Sequence, residues 1–218
     1  MSKEQLDALD VLIVQHIGDL DAAANRLRYE IQRKVGKKIN STVEEWCDDH
    51  GWYGKFDWNE DRLWLLPEGW RGAEATADDE DAIAYFNFGV RFGDDLDSDD
   101  GSVDYFWLTR LCKQGKGTIG FSFKREAGLG IKKKKLWIPL AAEHANKGSA
   151  RALGFDYEEG DGTFFKALVI DKEALAKAIE EDDFAEALKP LRDALDVLPD
   201  AVADFQPLID KAKAQASK

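Results

Sequence analysis

Cys47 and His50, spaced C-x-x-H, come closest in this chain to half a zinc site, because a thiolate and an imidazole one helical turn apart can face a single ion. A structural zinc needs four such ligands. Only Cys112, His16 and His144 remain, none of them paired at ligand spacing, so the pattern predicts no metal. "GKGTIG", from Gly115 to Gly120, is a literal G-x-G-x-x-G, but a dinucleotide loop opens a helix whereas the strand-like "TIGFSFK" follows here. These glycines read as a turn. "DDLDSDDG", residues 94–101, alternates Asp95, Asp97 and Asp99 as a calcium loop does, yet its sixth and twelfth positions hold Asp100 and Phe106 instead of glycine and glutamate. It reads as a solvated acidic loop. There is no G-x-S-x-G elbow, and three scattered histidines leave little for a triad. Asp104 and Lys124 suggest a metal-dependent nuclease pair, but Ser122 stands where the second carboxylate is required. No catalytic residue and no cofactor is assigned, and the reading leans away from an enzyme.

Two segments carry binding chemistry instead. The formal charge is −13, but residues 41–104 hold 19 acidic and 4 basic residues, whereas residues 108–135 hold 9 basic and 1 acidic. In the acidic segment Trp46, Trp52, Trp58, Trp64 and Trp70 recur every six residues. Their flanks share nothing, so this is not a repeat, and six helical residues rotate by about 600°, so they share no helical face. Trp46 and Trp64 are expected in the core. Some of Trp52, Trp58 and Trp70 are expected on turns, part-exposed among Asp48, Asp49, Asp57, Glu60 and Asp61, a combination that grips lysine and arginine. In the basic segment Lys113, Lys116, Lys124, Arg125, Lys132, Lys133, Lys134 and Lys135 fall on or beside one expected hairpin, between Trp107 and Trp137. Such a set can hold phosphates and stacked bases, or can simply protect a sheet edge.

The elements that must position these residues follow from periodicity. Leu6, Ile13, Leu20 and Leu27, with Leu9, Ile17, Ala24 and Ile31 beside them, form an apolar stripe that predicts one long amphipathic helix. "NSTVEEWCDDHG" reads as a separate short helix, capped at Ser41 or Thr42 and ended by Gly51. "DRLWLLP", "AIAYFNFGVRF", "VDYFWLTRLC" and "TIGFSFK" then read as antiparallel strands, with a further hairpin turning at "EEGDG". After Asp171 the helical period returns, with Asp183 and Glu186 expected to cap "FAEAL".

The expectation is an α+β fold in one domain, residues 1–218. A helical part (1–50) precedes an antiparallel meander of five to six strands (51–170), and the helices of 171–218 pack on one face. No apolar leader or membrane-spanning run is read, so a cytoplasmic protein is expected. The functional expectation is a non-enzymatic acidic protein that occludes a basic protein partner, in the manner of an inhibitor, immunity protein or antitoxin. The alternatives are a nucleic-acid or phosphate binder using residues 107–137, and a metal-dependent enzyme with dispersed carboxylates. The first helix could also support a homodimer.

Overall fold

Leu9, Val11, Leu12, Ile13, Val14, Ile17 and Leu20 are 42–68% exposed, because the N-terminal helix projects beyond the core before joining it. The computed structural model describes residues 3–72, 82–91, 105–131 and 133–216. Helices α1 (Lys3–Gln15), α2 (Ile17–Arg26) and α3 (Gln32–His50) run almost end to end. At His16 the backbone departs from helical dihedrals (φ −112°, ψ 20°), but His16 N–H still donates to the Leu12 carbonyl and Leu20 N–H to that of His16. A π turn over Leu27–Ile31 joins α2 to α3. From Gln32 onward the apolar side meets the body, and Val35, Ile39, Val43, Trp46 and Cys47 are buried. The expected helix start at Ser41 or Thr42 is absent. Ser41 Oγ donates back to the Lys37 and Lys38 carbonyls, so the hydroxyl is absorbed by the helix instead of capping a new one. Gly51 does end the helix, in the left-handed region at φ 66°.

Strands β1 (Trp52–Asp57), β2 (Arg62–Pro67) and β3 (Ala84–Val90) follow, then helix α4 (Trp107–Leu111) and β4 (Ile119–Arg125). Next come α5 (Lys134–Ala145), α6 (Ser149–Ala152), β5 (Asp156–Glu158) and β6 (Thr163–Leu168), and the chain ends in α7 (Lys172–Glu181), α8 (Lys189–Asp196) and α9 (Leu198–Ala216). The six strands form one antiparallel sheet in the order β1-β2-β3-β4-β6-β5. Phe86, Phe123 and Phe164 lie opposite one another across three strands, and Phe205 of α9 stacks on Phe123 with centroids 4.3 Å apart. That aromatic layer joins the sheet to the C-terminal helices, as the α+β expectation requires. Gly120 allows β4 and β6 to approach, since a Cβ there would lie 2.0 Å from the Lys166 carbonyl oxygen.

Three local expectations change. The "VDYFWLTRLC" strand gives way, over its described part, to α4, which buries Leu108 and Leu111 three residues apart. The basic hairpin therefore does not form, and β4 pairs instead with β3 and β6. Where residues 132–135 were placed beside a hairpin, Lys134 opens α5, which buries Trp137, Leu140, Ala141 and His144 and tolerates Pro139. "FAEAL" is a turn: Asp183 accepts from Ala185 N–H as a local side-chain turn, and α8 begins only at Lys189 with Pro190 in its first turn. Asp171 caps α7 through Glu173 and Ala174 N–H.

Candidate functional site

The sequence-predicted acidic residues separate into two groups at the two ends of β1. At its start, the last two turns of α3 present Glu44, Glu45, Asp48 and Asp49 to solvent. Glu44–Asp48 and Glu45–Asp49 are both i,i+4 pairs of like charge, which destabilise a helix. They also stand at the helix C-terminus, where the backbone dipole is negative. None of the four has an ion-pair partner among the described residues. Their field reaches inward: the Cys47 thiol is pushed up to about 12, by burial first and then by Asp48 and Glu44.

An aromatic cluster underlies this carboxylate cap. Trp46 donates from Nε1 to Asp196 of α8 (2.8 Å), and His50 stacks on its ring at 4.1 Å. Trp52 meets Trp46 edge-on at 5.2 Å and stays half-buried. Next to it Tyr53 is exposed on the other side of β1, with the Arg71 guanidinium 3.9 Å above its ring. A cation already rests on this edge of the sheet. Asp57, Glu60 and Asp61 sit at the far end of β1, where Asn40 of α3 accepts from Trp58 N–H.

The other expected tryptophan anchors are core residues. Trp58 is 4% exposed, wedged edge-on between Phe88 and Trp107. Trp70 is 1% exposed, packs on Phe86 and Phe123, and donates to Gln206 of α9 at 3.0 Å. Trp58 opens one short turn and Trp70 closes another, yet both side chains pack into the core, so turn location did not mean exposure. Conversely Trp64, expected in the core, is half-buried against Tyr85.

The basic residues also divide. Lys113, which donates to Thr118 Oγ1 at 2.9 Å, and Lys116 stand at the start of β4. Lys124 and Arg125 stand at its other end, about 20 Å away at strand rise, and Lys133, Lys134 and Lys135 lead into α5. Lys132 and the 94–101 acidic loop lie outside the described residues. Lys124, Arg125 and Lys134 line a cleft of about 390 Å³ with Trp137, Thr163, Glu126 and Asp161. Arg125 lies over the Trp137 ring and donates to the Ile131 carbonyl. Burial lowers its pKa, against the pull of Glu126 and Asp161. The cleft can accept a small anion, although two of its own carboxylates compete for the cations.

Sequence reasoning missed one buried polar pair. His144 Nε2 and Asp204 Oδ2 lie 2.8 Å apart, joining α5 to α9 across sixty residues. The Trp137–Leu140–Ala141–His144 stripe was the available signal, because its 3.6-residue period places His144 on the buried face of a helix. Cys47 and His50 do not converge on an ion: Cys47 is buried, and His50 Nδ1 donates to the Trp46 carbonyl (2.8 Å). Among the described residues no group of three His, Cys, Asp or Glu side chains is placed to hold a metal, and no helix is long and apolar enough to cross a membrane. Comparison with protein-family models, curated proteins and solved structures finds no match to the chain.

Proposed function

We propose that this protein binds a basic protein partner through the carboxylate cap at the end of α3, with Trp52 as the aromatic anchor. The observation that carries this reading is that Glu44, Glu45, Asp48 and Asp49 are exposed and have no ion-pair partner among the described residues. Two like-charged pairs at the negative end of a helix act against folding, and sequences keep such local conflicts where a site uses them. A cluster of exposed carboxylates steers a cationic partner at long range, and the half-buried Trp52 ring beside it supplies the short-range contact.

The test is a variant carrying Glu44→Gln, Glu45→Gln, Asp48→Asn and Asp49→Asn. Relieving the repulsion is expected to raise stability by about 0.5–2 kcal/mol. Affinity for a panel of small basic proteins is expected to fall at least tenfold, about 1.4 kcal/mol, with a flatter salt dependence. Trp52→Ala is expected to speed dissociation without unfolding the chain. Unchanged affinity in both variants would reject the reading.

A second reading rests on the cleft at Arg125, which the stacked Trp137 ring and the Lys124 and Lys134 side chains make suitable for a phosphate group. Lys124→Glu with Lys134→Glu is expected to abolish retention on a heparin or phosphate matrix. Equal retention of both chains, or none by the parent, would remove this alternative.

A further inference from the structure

Strand β1 is an edge of the sheet, and among the described residues its outer side pairs with no other strand. The opposite edge, β5, is only three residues long and offers little to pair with, whereas β1 offers six. Proteins also guard an edge with a proline, a bulge or lysines. β1 pairs residue for residue with β2, so it carries no bulge, and a single lysine, Lys55, is its only guard of that kind. None of its six residues is fully buried.

The ladder fixes which backbone groups face outward. Along an antiparallel pair, residues alternate between bonding the neighbouring strand and pointing away from it. Pro67, opposite Trp52, has no N–H to give, and at the other end Trp58 N–H goes to Asn40 instead of to β2. Both ends therefore assign Tyr53, Lys55 and Asp57 to β2, and they direct the N–H and C=O of Trp52, Gly54 and Phe56 outward. No turn or loop among the described residues supplies these outward groups with a backbone partner. Carboxylates stand at both ends of this edge. Along one row of α3, Gly36 lies against Asn59 and Asn40 holds Trp58. One and two turns further, the same row brings Glu44 and Asp48 toward the start of β1. At the far end Asp57, Glu60 and Asp61 outnumber Arg62. The two acidic sets are separated by the length of β1, about 17 Å at strand rise.

We infer that the partner docks by adding an extended basic segment to β1 as a further antiparallel strand. Main-chain bonds to Trp52, Gly54 and Phe56 hold the segment, and the carboxylates at the two ends select lysine or arginine at its two ends. Edge pairing with a second copy of this chain would bring the same carboxylates together, so the charge favours a basic chain over a copy. The inference rests on the proposed function for the sign of the partner's charge, and it adds the mode of contact.

Hydrogen exchange of the full chain, followed by NMR, tests it with a synthetic peptide that carries paired lysines at both ends of a short valine–threonine run. The peptide is expected to slow exchange at the Trp52, Gly54 and Phe56 amides by at least about tenfold. Tyr53, Lys55 and Asp57, already bonded to β2, should change little. A counterpart N-methylated along the run keeps its charge but loses its donors, and it is expected to bind at least about tenfold more weakly. Equal binding of the two peptides, or slowing without this alternation, would overturn strand addition and leave the carboxylate cap in place. No binding by either peptide would also overturn it, and the panel of small basic proteins would then show whether the proposed function falls too. Slowing at the same three amides with rising protein concentration and no peptide would make the occupant a second copy, and would equally overturn the proposal.

Discussion

Trp70→Ala is expected to lower the free energy of unfolding by about 3–5 kcal/mol, read as an earlier midpoint in a urea titration with an unchanged slope. The ring is fully enclosed, packs on Phe86 and Phe123, and fixes the turn after β2 to α9 through Gln206. Truncation leaves a cavity that a sheet cannot close by sliding, and it leaves the Gln206 oxygen without its donor. Trp52→Ala should behave differently, because that ring is only half-buried at the sheet edge. Its cost is expected to stay near 1–2 kcal/mol, roughly half the burial value of a large side chain, with the main loss in binding. A Trp52→Ala variant as unstable as Trp70→Ala would mean that Trp52 is core as well.

Phe205→Ala is expected to cost a similar 3–5 kcal/mol, for a different reason. Phe205 is the point where α9 meets the sheet: its ring touches Phe86, Phe123, Phe155, Phe164 and His144. Without it the helix loses its hold on the strands, and the His144–Asp204 pair gains access to water. The Trp70 and Phe205 side chains share Phe86 and Phe123 as neighbours, so the double variant should be less destabilised than the sum of the singles. Full additivity in denaturant titrations would show that the two sites do not belong to one packed layer.

The period of the apolar residues identified the fold class, while burial within turns escaped it. Alternation over "DRLWLLP", "AIAYFNFGVRF" and "TIGFSFK" corresponds to β2, β3 and β4, because one sheet face is core and the pleat repeats every two residues. "VDYFWLTRLC" alternates almost as well, but a short apolar run fits either period, and packing of Leu108 and Leu111 decided for a helix. The lysine run drew attention away from α5, whose buried stripe begins only at Trp137. For the site, the acidic bias was visible from composition. Its frustrated placement required knowing that α3 continues unbroken from Gln32 to His50, which puts Glu44 and Glu45 on its last turns instead of its first, together with Asp48 and Asp49. Under the expected cap at Ser41, Glu44 and Glu45 would have been favourable N-terminal charges, whereas Asp48 and Asp49 stand just before Gly51 in either case. The long helix reverses the sign of that argument.

That reversal makes the carboxylate cap the central claim, and a heteronuclear NMR titration of the full chain with a small basic protein tests it most directly. Binding at the cap predicts that amide shifts and line broadening concentrate on Glu44 to Tyr53 and the end of α8 around Asp196, and that they fade as salt is raised. Perturbations gathered instead around Lys124, Arg125 and Lys134, or no perturbation by any basic protein, would contradict it.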